Sequence, residues 1–134
     1  MFEKFSDSFL KDFDLDFLIN RFSKNNFHTF LKGDKIVSQG SSPAGVYFIL
    51  TGNIEAGTVL PDGNFIIKYE LSAGDILGIE DVLRDENYVY SAIAASDTNV
   101  MIIPKDEFVS VTGKNDEFNI WLLKYLSKRI GKFE

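Results

Sequence analysis

Residues able to do chemistry concentrate in one stretch, Gly74 to Ala95, which reads GDILGIEDVLRDENYVYSAIAA. It carries Asp75, Glu80, Asp81, Asp85 and Glu86 against a single Arg84, followed by Tyr90 and Ser91. Adjacent carboxylates such as Glu80 and Asp81 can serve as an acid/base pair, but at the start of a short helix they more commonly form a solvated, dipole-complementing face. Ser91 would need a base beside it to act as a nucleophile, and the one histidine, His28, lies in a distant apolar run. A β-roll metalloenzyme of the cupin type needs two or three histidines and a carboxylate, which one histidine cannot supply. The absence of cysteine excludes disulfides, thiolate zinc sites and cysteine-bound iron–sulfur clusters. No catalytic residue, metal site or cofactor is assigned, and the chain reads as a non-enzyme.

What the stretch does suggest is a binding cradle. A glycine turn and a short apolar step lead into a brief acidic helix or turn. An aromatic and small-residue strand follows. Strand, short helix and strand within a β-rich chain build a concave surface.

The surrounding chain must position that cradle. Its 134 residues make one ordinary domain, and 45% hydrophobic content supports a sizeable core. No apolar run approaches the roughly 18 residues of a membrane span. The opening MFEKFSDSFLKDF alternates charge with Phe, unlike a secretory signal. A cytoplasmic protein without membrane contact is expected. The net charge of −6 would repel a phosphate backbone, so this domain alone is a poor nucleic-acid binder.

Residues 1–25 are expected to form helices packed on the side of a β-core, because Phe2, Phe5, Phe9, Phe13 and Phe17 recur at helical steps. From residue 26 to 104 short apolar runs are punctuated by glycine: Phe27–Leu31, Lys35–Ser38, Val46–Leu50, Ile54–Leu60, Phe65–Leu71, Tyr88–Ala95 and Asn99–Ile103. Pro61-Asp62-Gly63-Asn64 predicts a hairpin over 53–71. Seven or eight such strands imply an antiparallel sandwich or roll. Helical periodicity returns over 105–134, with a short helix at Lys105–Thr112 and a last helix from an Asp116 N-cap to about Lys132. Lys124, Lys128, Arg129 and Lys132 near its end complement the helix dipole.

This order resembles the effector domain of the Crp/Fnr family of transcription regulators, within the cyclic-nucleotide-binding superfamily. The likeness is carried by Lys32-Gly33-Asp34, Gly40, VYFILTGNIE at 46–55, Asp62-Gly63, Gly74-Asp75-Ile76-Leu77-Gly78 and Tyr90-Ser91-Ala92. It implies a mainly β fold, an antiparallel β-roll or jelly roll with N-terminal helices and a C-terminal dimerisation helix. The implied pocket residues are Gly78, Ile79, Glu80, Asp81, Val82, Tyr90, Ser91 and Ala92. The implied homodimer would use the last helix, whose wide apolar stripe is Phe118, Trp121, Leu122, Tyr125, Leu126 and Ile130. In such regulators a DNA-binding helix-turn-helix follows that helix, and none is present before Glu134.

Nucleotide-binding members carry Gly-Glu in the cradle and an Arg before the small pair. Here Gly78 is followed by Ile79, the acid comes one residue late at Glu80, and the Arg position is Tyr90. A missing, desolvated Arg–phosphate pair costs about 2–5 kcal/mol. Arg84, on the short helix, is expected to point elsewhere. Three readings of the cradle stay open: a different small effector against Tyr90, a vestigial cradle closed by its own side chains, or a nucleotide in an altered pose. The expected function is effector sensing and dimerisation in a Crp/Fnr-like regulator, without the usual cyclic-AMP binding. The alternative is a stand-alone interaction protein with a vestigial pocket.

Overall fold

The computed structural model describes residues 20–22 and 26–133, with side chains described through Ile130. The expected N-terminal helices therefore lie outside the described residues, except that residues 20–21 are helical and Phe22 is buried.

Eight strands follow: β1 (Asn26–Phe30), β2 (Lys35–Val37), β3 (Gly45–Thr51), β4 (Asn53–Val59), β5 (Phe65–Ser72), β6 (Ile76–Leu77), β7 (Ser91–Ala94) and β8 (Thr98–Pro104). Among the described residues after β1 there are three helices: α1 (Ile79–Arg84), α2 (Lys105–Thr112) and α3 (Asp116–Phe133). The strands form two four-stranded sheets, ordered β1-β8-β3-β6 and β2-β7-β4-β5, and every pairing is antiparallel. This is the mainly β roll with flanking helices that the glycine-punctuated pattern implies.

The continuous apolar runs in β3 and β8 follow from burial on both faces of the first sheet. Val46 and Phe48 of β3, with Met101 and Ile103 of β8, face the helices. Tyr47, Ile49, Val100 and Ile102 face the second sheet, alongside Ile54, Leu71 and Ala92. The period of two thus divides one hydrophobic run between two cores. The hairpin of β4 and β5 turns at Leu60–Asn64, where Gly63 N–H donates to the Leu60 carbonyl and Asn64 N–H donates to Asp62 Oδ1. Its local chemistry is the Asx turn expected from Pro-Asp-Gly-Asn.

On the helix side the core is aromatic. Phe22 stacks on Phe108 of α2 with centroids 5.9 Å apart and meets the edge of Phe118 at 5.4 Å. Along α3 the rings continue from Phe118 to Trp121 at 5.6 Å and from Trp121 to Tyr125 at 5.8 Å. Such pairs add about 0.5–1.5 kcal/mol each beyond the area they bury. Helix α3 is started by Asn115, not by Asp116: Asn115 Oδ1 accepts from Phe118 N–H at 2.8 Å, and Asp116 is the first helical residue.

The stripe expected to form a dimer face is divided by this packing. Phe118, Trp121, Leu122 and Tyr125 are buried within the chain, because the first sheet, Phe22 and α2 offer them an aromatic surface. Leu126 is half-buried and Ile130 is 62% exposed. The outward apolar residues also include Ile120 and Leu123, the latter 67% exposed. Among the described residues no helix is long and apolar enough to cross a membrane.

Candidate functional site

Gly78 begins the cradle. It takes φ 89°, a left-handed conformation that suits glycine, and its carbonyl accepts from Val82 N–H at 3.0 Å. The chain thereby turns sharply from β6 into α1. Ile79 and Val82 point into the aromatic core, while Glu80 and Asp81 in the first turn point away from it. At the other end Asp85 adopts φ 57°, with Asp85 N–H donating to Val82 O and Glu86 N–H to Asp81 O. That is a Schellman closure with aspartate where glycine is usual.

The strand expected over Tyr88–Ala95 is shorter than its apolar pattern suggests, because β7 holds only Ser91–Ala94. Tyr88 is tied instead to the turn at 40–41: its N–H donates to Ser41 O and its carbonyl accepts from Gly40 N–H. The sheet ladder therefore starts late, and Tyr90 lies outside it.

A cavity of about 270 Å³ lies between α1, β5, the segment before β7, and α3. Its described walls are Tyr69, Glu80, Asp81, Arg84, Val89, Tyr90 and Arg129. Of the eight expected pocket residues, three face it: Glu80, Asp81 and Tyr90. Gly78, Ile79, Val82, Ser91 and Ala92 are not among its lining residues. Ile79, Val82, Ser91 and Ala92 are buried, and the Ser91 hydroxyl accepts from Gln39 N–H at 2.9 Å. Ile79 and Val82 belong to the helix-side core and Ala92 to the core between the sheets.

Two guanidiniums reach the cavity, contrary to the expectation of none. Arg84 does not point elsewhere: it lines the cavity, bonded to Asp81 at 3.2 Å and to Glu86 at 2.9 Å. Arg129, expected to complement the dipole near the end of α3, is also buried against the cradle. Its side chain is 4% exposed, and its Nε donates to Glu80 Oε2 at 2.6 Å. Its Nη1 donates to Tyr125 Oη at 3.2 Å. The guanidinium lies 5.5 Å from the Tyr69 ring centre and 5.8 Å from that of Tyr125, within cation–π range. Tyr69 in turn meets Tyr90 edge-on at 5.6 Å. The row Phe118, Trp121, Tyr125, Arg129 on α3 thus runs from the helix-side core into the cradle at steps of three and four residues. That row was the available signal for Arg129, since the residue continues a buried stripe.

Tyr125 fixes the same helix to the roll from the other side: its hydroxyl accepts from Ile76 N–H at 2.8 Å. Burial raises the Tyr125 phenol above its usual range, and burial followed by the Glu80 charge pushes Tyr69 up to about 12. The Asp81 carboxyl is also raised by burial, against the lowering effects of Val89 N–H and Arg84. Glu80, Asp81, Arg84 and Arg129 balance one another in charge, and both guanidiniums are engaged by carboxylates.

A family model for the cyclic nucleotide-binding domain matches residues 27–115. The chain belongs to that family. Solved structures agree on the fold of this cyclic nucleotide-binding domain. The catabolite activator protein of Thermus thermophilus superposes with a TM-score of 0.73 at 16% identity, over 92% of this chain and 58% of that one. The sensor domain of the transcriptional regulator DNR from Pseudomonas aeruginosa gives 0.70 at 16% identity, over 96% and 93%. The N-terminal domain of a transcriptional regulator from Streptomyces coelicolor gives 0.69 at 14% identity, over 92% and 89%. The chain spans little more than half the length of several structures it matches, including 55% and 57% of two others. No match was found among curated protein sequences.

Proposed function

We propose that this domain is the effector-sensing and dimerisation module of a Crp/Fnr-type transcription regulator. The observation that carries the reading is the meeting of cradle and last helix in one cavity, through Glu80 of α1 and Arg129 of α3. An effector there touches both elements at once. Its binding therefore biases how α3 sits on the roll, a population shift in a two-state element. The module is regulatory rather than enzymatic and cytoplasmic. In this reading, contact with DNA belongs to a separate helix-turn-helix domain.

A second copy of the chain covers the outer face of α3. Leu123, Leu126 and Ile130 recur at steps of three and four, the spacing of a coiled-coil seam, and Ile120 widens it. A closed twofold pair is the default assembly for such a face. The usual cyclic-nucleotide pose is disfavoured, because Tyr90 replaces the strand arginine and Glu80 already neutralises Arg129. The cavity is also slightly below the roughly 300–1,000 Å³ of most ligand sites.

Sedimentation velocity of the chain and of a Leu123→Glu, Ile130→Glu variant tests the dimer. The chain should sediment as a dimer and the variant as a folded monomer. A chain that stays monomeric at high concentration, or a variant that still dimerises, contradicts the assignment.

A further inference from the structure

We propose that the cavity takes a small organic anion, a carboxylate or phosphate head on a flat apolar body, which displaces Glu80 from Arg129. The proposal deepens the sensor reading above and rests on it for its consequence. Its basis is the asymmetry of the Glu80–Arg129 pair.

Arg129 is the fixed partner. Its side chain is 4% exposed, lies against the rings of Tyr69 and Tyr125, and donates to the Tyr125 hydroxyl. A guanidinium so placed needs a negative partner at all times, because an uncompensated buried charge is strongly unfavourable. Glu80 is the exchangeable partner. It sits on a six-residue helix with its side chain 31% exposed, so it can turn into water. Whatever replaces it must bring its own negative charge, and a pair of oxygens on a carboxylate or phosphate head matches the guanidinium fork.

The rest of the cavity defines the body of the ligand. Beyond the ion pair the walls are the edge-on rings of Tyr69 and Tyr90, with Val89 beside them, and the Asp81–Arg84 pair completes the lining. The rings favour a flat apolar group. Asp81 does not compete for Arg129, since its carboxylate is engaged by Arg84 and by Val89 N–H. About 270 Å³ suits a single ring with its head group better than a nucleotide. When the anion enters, Glu80 leaves, and α1 loses its ion pair to α3.

Isothermal titration with benzoate, phenyl phosphate and neutral benzyl alcohol tests this on the chain, Glu80→Gln and Arg129→Met, with circular dichroism to confirm folding. At least one of the two anions should bind, and the stronger identifies the head group. Glu80→Gln should bind it about tenfold tighter, because the internal competitor has lost its charge. Arg129→Met should lose it, and benzyl alcohol should not bind. If Arg129→Met fails to fold, the gain in Glu80→Gln decides alone. Absence of binding of both anions to the chain and to Glu80→Gln overturns the proposal, as do equal affinities in the chain and Glu80→Gln. Equal binding of benzyl alcohol also overturns it. Such a failure leaves the sedimentation result untouched, so it is distinguishable from failure of the sensor and dimer reading.

Discussion

Arg129 Nε lies 2.6 Å from Glu80 Oε2, across 49 residues of chain, and the pair joins the last helix to the cradle helix. Removing Glu80 takes the carboxylate from a buried Arg129, and removing Arg129 takes away its packing against Tyr69 and Tyr125. Glu80→Gln should destabilise the fold by about 1–3 kcal/mol, at the lower end for a buried pair because Glu80 is partly exposed. Arg129→Met should cost a similar amount. The double variant should cost less than the sum of the two, with a coupling of about 1–2 kcal/mol. Urea denaturation of the four proteins measures this, and additive single effects would show that the pair contributes no coupling.

Gly52 closes the corner between β3 and β4 at φ 101°. A Cβ there would meet Asp97 O and Thr98 Oγ1, both at 2.5 Å, so neither the backbone nor the space admits a side chain. Gly52→Ala should lower stability by more than about 2 kcal/mol, from left-handed strain plus overpacking. A denaturation midpoint unchanged within error would refute this account of the corner.

Buried tyrosines set an alkaline limit. Tyr69 is raised from 10.0 to about 12, and Tyr125 and Tyr88 are raised as well, in each case first by burial. A phenol whose folded value lies above its unfolded value binds its proton more tightly in the fold. Its contribution to stability is fully present below pH 10 and is lost as pH rises through about 12. Phenolate absorbance and circular dichroism, followed together, should show these tyrosines ionising as the fold is lost. Tyr69→Phe should make the alkaline decline shallower.

The roll was legible because its information is local. Pro61-Asp62-Gly63-Asn64 forms its turn from neighbouring atoms, and Gly78 marks the entry to α1 by its own backbone freedom. The cradle was legible in part: Glu80, Asp81 and Tyr90 line the cavity, whereas Gly78, Ser91 and Ala92 do not. Two of its walls come from elements distant in sequence: Tyr69 from β5 and Arg129 from α3. Arg129 sits among lysines at a helix end, where a cation ordinarily complements the dipole, so composition argued for solvent. The stripe on α3 was likewise visible as a period, but periodicity does not name the partner. Trp121 and Tyr125 took the roll as theirs, and Leu123 and Ile130 remained outside.

Titration calorimetry with cyclic AMP and cyclic GMP tests the central claim most directly: that the anion chemistry of this cradle is internal, with Glu80 on Arg129 and Tyr90 in place of a strand arginine. We expect no binding of either nucleotide in the micromolar range. Binding of either at low micromolar affinity would contradict the account.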